Sequence, residues 1–390
     1  MTAPRSGAAT VLVMVIATAP QISAQTSAPT AAFADDVHAS AGLTCGACHM
    51  RQAAGSYTAP PRNAIAPLCA TCHSDAAYMR RFAPQVRIDQ FLQYQTSTHG
   101  RRMAGGETAV ATCNDCHGAH GVRRVADARS PVAPLNVTTT CARCHGDAAH
   151  MKPFGRTAAA PADWGASVHA TALLQRGDTS APTCAACHGS HGATPPGITS
   201  VANVCAQCHV REAELFRASP KKEIFEAIGQ AECLVCHTNH RIEPPSDHWI
   251  GVADGAVCEQ CHDAAGESAK AIGAIRAALD GLSAEIAAAD AALGAVERAG
   301  MPVDEGRLAL RTAREQQVQA RVLVHTFALQ PPGEAAAKGT AAARQALAAG
   351  QAAARELQIR RTGLGVATLL IIGFLITLWL KIRRLPDLPS

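Results

Sequence analysis

The cysteines carry the most chemistry in this 390-residue chain, and all 16 fall in a single pattern. They form eight Cys-x-x-Cys-His pentads: Cys45, Cys48 and His49; Cys69, Cys72 and His73; Cys113, Cys116 and His117; Cys141, Cys144 and His145; Cys184, Cys187 and His188; Cys205, Cys208 and His209; Cys233, Cys236 and His237; and Cys258, Cys261 and His262. Two thiols at this spacing can add across the two vinyl groups of one porphyrin, and the adjacent imidazole then sits under the ring as an iron ligand. The pentad is the attachment signature of c-type haem. A zinc site, a redox dithiol or a disulfide framework would each use cysteines at such spacings. None of them requires a histidine after every second cysteine. The expectation is eight covalently bound haem c groups.

Nine further histidines are available as distal ligands. Repeated placement singles out most of them. Cys113 through Gly121 matches Cys184 through Gly192, with His120 and His191 at equivalent places, and a weaker copy runs from Cys233 to His240. Ser97-Thr98-His99 and Ser167-Val168-His169 stand upstream of these runs, and the weaker copy has Ser219-Pro220-Lys221 instead. His99, His120, His169, His191 and His240 are therefore expected distal ligands. His38, before the first pentad, and His248, before the last, are added to them. His150 is a weaker addition, because Tyr78 replaces it in the matching run Cys69 through Met79. Lys221 reads as a solvated charge, with amine ligation as the alternative. His325 reads as a polar residue on a helix face, with a reach back to a haem as the alternative. Two imidazoles on one iron close its coordination sphere and suit it to electron transfer, whereas an open position would admit a substrate.

The elements that position these groups are short. Aromatic residues make up only 4% of the chain, too few to fill an ordinary core at this length, and porphyrin would supply the missing apolar mass. From 35 to 263 the sequence is rich in Gly, Pro and Thr, without long periodic stretches. It predicts an octahaem domain of short helices and loops, grouped as four dihaem units. The formal charge of +4 is a poor guide to partners, because haem propionates would reverse it. Nothing in the sequence points to nucleic acid.

Beyond that region the composition shifts. Residues 264–361 are Ala-rich, and Ile272, Ile275, Leu279, Leu282 and Ile286 recur at helical spacing. Breaks at Gly300-Met301-Pro302 and Pro331-Pro332-Gly333 divide the segment into a helical hairpin and a third helix. This stalk offers a surface for docking or self-association, or is a spacer. Residues 363–380 carry no charge and are just long enough to cross a hydrocarbon core of about 30 Å. Lys381, Arg383 and Arg384 follow, placing 381–390 in the cytoplasm. Arg5, the apolar run from Ala8 to Ala19 and Ile22-Ser23-Ala24 read as a signal peptide over 1–24. The fold class expected is thus mostly α, with little regular structure among the haems, a helical stalk and one C-terminal transmembrane helix.

The run Cys-x-x-Cys-His-Gly-x-His-Gly with its upstream Ser-x-His resembles the doubled Cys-x-x-Cys-His motif of the cytochrome c3-like multihaem proteins, over about 35–263. The first pentad departs from the motif, with Met50-Arg51-Gln52 after His49, and so does Lys221. The resemblance implies closely stacked bis-histidine haems acting as an electron wire outside the cytoplasm, often between the quinone pool and periplasmic or extracellular acceptors. The function expected is a relay between a quinol-oxidising membrane partner and periplasmic or outer-surface acceptors. Its place would be the bacterial cytoplasmic membrane, with the haem domain on the periplasmic side. An octahaem oxidoreductase acting on a small nitrogen or sulfur compound at one open haem is the alternative. A non-redox adaptor is the third reading.

Overall fold

Pentads need little more than one helical turn, and one turn is what most of them receive. The computed structural model describes residues 29–53, 56–195 and 197–384; the expected signal peptide and the end of the tail lie outside them. In the first, sixth, seventh and eighth pentads the histidine N–H reaches back to the carbonyl of the first cysteine, at 2.9, 2.9, 3.0 and 2.9 Å. Residues three and four apart share a helix face, so one turn brings both sulfurs and the imidazole to the same side.

The second pentad ends a longer helix, α1 (Arg62–His73). The third forms α2 (Cys113–His117), opened by a capping box between Thr112 and Asp115. The fourth ends α3 (Val137–His145), and the fifth forms α4 (Cys184–His188). Two short helices follow the sixth pentad, α5 (Val210–Arg217) and α6 (Lys221–Ala227). Among the described residues, strand structure is confined to one antiparallel pair, β1 (Met50–Arg51) and β2 (Tyr57–Thr58), placed where the first pentad lacks the Gly-x-His run.

The backbone contacts divide the chain into two compact units. One is 1–91 with 102–136, holding the first three pentads; the other is 92–101 with 137–390, holding the remaining five. Between 29 and 263 the one cluster of buried apolar side chains among the described residues is small: Trp164, Ala170 and Leu173.

The main hydrophobic core lies in the second unit, in three helices: α7 (Glu267–Glu297), α8 (Asp304–Leu323) and α9 (Gln330–Arg383). The hairpin follows the Ile/Leu spacing and the break at Gly300-Met301-Pro302, whereas Pro331, Pro332 and Gly333 lie inside the first turn of α9 rather than in a break. Ile275, Leu279, Leu282, Ile286, Ala289 and Leu293 of α7 are buried at alternating steps of four and three. They meet a stripe of small residues on α9: Ala336, Gly339, Ala343, Ala346 and Gly350. Large side chains on one helix and none on the other let the backbones approach closely. A Cβ on Gly339 would lie 2.9 Å from Leu282 Cδ2, so any larger residue there would push the leucine or the helix aside. Arg307 and Arg314 add ion pairs to Asp290 across α7 and α8.

Past Gly350 the helix α9 leaves the bundle and continues without a break. Leu369, Leu370, Ile372, Phe374, Leu375 and Trp379 are all exposed on it. A helix of this length and composition is compatible with a membrane anchor.

Candidate functional site: opposed imidazoles at the pentads

Burial and local hydrogen bonds fix where the pentad imidazoles point, and six of them face a second histidine. In the first unit, the ring centroids of His49 and His120 are 5.8 Å apart and nearly parallel, and those of His73 and His38 are 6.0 Å apart. In the second unit, His145 faces His99 at 6.0 Å, His209 faces His169 at 6.4 Å and His188 faces His240 at 5.9 Å. His237 faces His325 at 6.1 Å, with 16° between the ring planes.

These separations test whether the residues fit an iron between them. Metal–imidazole bonds run at about 2.0–2.1 Å, so two imidazoles sharing one metal atom place their centroids a little over 6 Å apart. A hydrogen bond between two ring nitrogens would bring them closer. The observed range of 5.8–6.4 Å fits the shared-metal separation.

The rings are held in the form that ligates metal. Burial above all, and then a neighbouring imidazole, lowers the pKa of His73, His145, His169, His188 and His237. The neighbour is His38 for His73, His150 for His145, His209 for His169, His240 for His188 and His325 for His237. A neutral imidazole keeps a lone pair for the metal. Second partners set which nitrogen that is. Nδ1 of His38 lies 2.9 Å from the buried carboxylate of Asp36, and Nδ1 of His49 lies 3.3 Å from the carbonyl of Thr58. Nδ1 of His325 lies 2.9 Å from the carbonyl of Val322. In all three the outward nitrogen is Nε2, and such outer partners orient metal-binding histidines.

Sulfur contacts join successive pentads. Cys69 meets Cys113 within the first unit, and Cys141 meets Cys184 and Cys205 meets Cys233 within the second. The thiol contact draws Cys113 down to about 7, Cys184 to about 6 and Cys205 to about 7. Haem attachment turns each sulfur into a thioether that no longer titrates. What persists is adjacency: the attachment points of consecutive haems touch.

Other expected ligands have different neighbours. His150 packs on Phe154 at 5.6 Å, as its repeat counterpart Tyr78 packs on Phe82 at 5.2 Å. The repeat thus preserves an aromatic pair one turn past the pentad. His248 Nε2 lies over Gly255, and in its segment Trp249 is the residue against the His237 ring, at 5.7 Å. His150 also lies near enough to His145 for its charge to lower the pKa of that ring, after burial. His191 is half-buried, with Nδ1 3.3 Å from Ser190 Oγ, and His117 closes α2 as the other pentad histidines close theirs.

Two partners run against the expectation from sequence. His325 belongs to the bundle rather than the repeats, so no motif marked it. Lys221 Nζ lies 3.0 Å from His262 Nε2, and its one signal was the Ser-x slot it shares with His99 and His169.

Residues 37–146 and 177–263, about half of the chain, match the family described as Cytochrome c3. The chain belongs to the cytochrome c3 family. As a member it is a multihaem electron-transfer cytochrome with covalently bound haem c. The matched segments contain every pentad of this cytochrome, and leave out the bundle and the long apolar helix. No curated protein and no solved structure matches the chain.

Proposed function

We propose that this cytochrome is an octahaem electron relay, anchored by α9 in the bacterial cytoplasmic membrane with its haem domain on the periplasmic side. The six opposed imidazole pairs carry the reading. Each pentad supplies two thioether sulfurs and a proximal imidazole from one helical turn. His38, His99, His120, His169, His240 and His325 supply distal imidazoles, and His191 is assigned the same role by its repeat position. His150, whose charge acts on the ring of His145, and His248 stay as further candidates. When bound, each haem iron cycles between ferric and ferrous states and so carries one electron. The opposed imidazoles would hold each iron on both sides, and the contacts of Cys69 with Cys113, Cys141 with Cys184 and Cys205 with Cys233 would set pairs of haems close together, which favours transfer over substrate binding.

The stalk bears on the partners. His325 stands at the Gln330 end of α9, and the uncharged segment begins at Gly363. At about 1.5 Å per residue the helix rises about 50 Å between them. That holds the His237–His325 pair far outside tunnelling range of a quinol in the bilayer. A quinol-oxidising partner whose own redox centre reaches up from the membrane would supply the electrons, and a periplasmic or outer-surface protein would take them. Trp379 and Arg383 at the far end of the apolar segment, with the arginine 4.3 Å over the ring, suit the cytoplasmic interface.

The experiment is reduction of the holoprotein in lipid vesicles that contain a quinol. Reduction is expected only when a membrane quinol-oxidising complex is added. Fast reduction by quinol alone would contradict the partner assignment. The mass of the holoprotein checks the number of haems, with eight expected.

A further inference from the structure

The eighth pentad is the place where the ligand pattern changes. Its histidine, His262, meets an amine: Lys221 Nζ lies 3.0 Å from His262 Nε2, a hydrogen-bond contact, and sharing one metal would part the two nitrogens to about 4 Å, which the flexible lysine chain allows. His248, which the sequence suggested for this haem, is turned toward Gly255.

The backbone that presents Lys221 is the same frame that presents two of the distal histidines. Ser219 is 8% exposed, donates its hydroxyl to Phe216 O at 2.7 Å and accepts from Lys221 N at 3.2 Å. Ser97, 6% exposed, donates to Tyr94 O at 2.6 Å and accepts from Gly100 N at 3.0 Å. Ser167, fully buried, accepts from Ala170 N at 3.2 Å. Each of these serines opens a helical turn and puts the residue two places on against a pentad histidine: His99 against His145, His169 against His209, Lys221 against His262. The lysine is not engaged as an ordinary surface charge. Lys222 next to it pairs with Glu226, while among the described residues no carboxylate forms an ion pair with Lys221.

We propose that Lys221 is the distal ligand of the eighth haem, opposite His262. The ammonium group loses a proton to solvent, and its nitrogen lone pair then takes the sixth coordination position from water. The assignment rests on the octahaem reading above, and adds that one haem is ligated by imidazole and amine where the others have two imidazoles. An amine is a σ-donor without the imidazole π-system, so this haem has its own spectroscopic signature.

The test uses the full-length, haem-loaded protein and compares wild type with Lys221→Ala and Lys221→His by EPR and near-infrared magnetic circular dichroism. Lys221→Ala is expected to convert one haem in eight from low to high spin. Lys221→His should return that haem to low spin and replace an amine-type charge-transfer band by an imidazole-type one. Identical spectra for wild type and both variants would overturn the assignment, as would a high-spin haem in wild type that Lys221→His abolishes. Should the alanine variant not accumulate, the comparison of wild type with Lys221→His decides alone, by presence or absence of the band change. A high-spin haem in wild type that neither variant alters counts against the closed relay. The amine assignment would still stand or fall on the difference spectra.

Discussion

The imidazole of His325, on the turn between α8 and α9, lies 6.1 Å from that of His237 and within 16° of parallel to it. Two parts of the chain with unlike composition meet at this pair. The contact is reinforced by Phe327, whose ring is 6.0 Å from Phe216, and by Arg276 and Arg321, which both bind Asp247. The bundle thus packs against the seventh pentad, and the proposed relay makes it part of that haem's site.

Replacing His325 by alanine tests that role. One haem in eight should change from low to high spin in the EPR spectrum, while the helical circular dichroism of the bundle stays as in wild type. His325 is half-buried at a helix end, away from the Leu279–Leu293 core, so its loss leaves the packing of that core in place. An unchanged EPR spectrum would mean that the ring pair is only a packing contact.

Asp36 is the strongest case of an outer partner. Its carboxylate is 1% exposed and accepts from His38 N at 2.8 Å, from Val122 N at 2.7 Å and from His38 Nδ1 at 2.9 Å. A carboxylate on Nδ1 makes the imidazole a stronger donor through Nε2, which favours ferric over ferrous iron. Asp36→Asn should therefore raise the midpoint potential of the haem that His73 and His38 ligate, with the others unmoved. A spectroelectrochemical titration resolves this, and a fall in that potential would contradict the argument. Charge-assisted bonds of this kind contribute about 1.5–3 kcal/mol, so a lower melting temperature should accompany the change.

Removing haem separates the two halves of the chain. The bundle has a continuous apolar core, whereas 29–263 depends on its cofactors for buried apolar mass. Protein made without haem attachment should keep the helical signal of α7, α8 and α9 and lose protease resistance before Asp263. Hydrogen exchange with mass spectrometry reads both. Protection throughout 35–263 in the haem-free protein would refute the dependence.

The stripe on α9 gives a packing test. Gly339→Val places two methyl groups where Leu282 already lies within 3.0 Å of a Cβ. Overpacking of this kind costs about 1–3 kcal/mol. The bundle should melt at a lower temperature by circular dichroism, and the His237–His325 haem should become partly high spin as the turn carrying His325 loosens. Unchanged melting would show that the helices separate without cost.

Much of this was written in the sequence where a pattern repeats. The pentads, the Gly-x-His run and the Ser-x-His frame are local, so His99, His120, His169 and His240 could be picked out before any fold was known. The bundle was legible because Ile275 through Ile286 keep helical spacing between glycine and proline breaks, and Pro331 and Pro332 sit in the first turn of α9, where a missing N–H is tolerated. His325 was not legible. One histidine on a helix end has no spacing to match, and its partner lies in another element. His150 is a different case: Tyr78 takes its place in the matching run, and what the two runs share is an aromatic pair, Tyr78–Phe82 and His150–Phe154. Lys221 lay between these cases, its slot readable and its chemistry not.

The most direct test of the closed relay is EPR of the fully oxidised wild-type holoprotein, with haem quantified on the same sample. The account predicts eight haems per chain, all low spin, and no high-spin signal. A high-spin haem at one per chain would contradict it. That result would reopen the reading of an oxidoreductase that binds a small nitrogen or sulfur compound at an open iron.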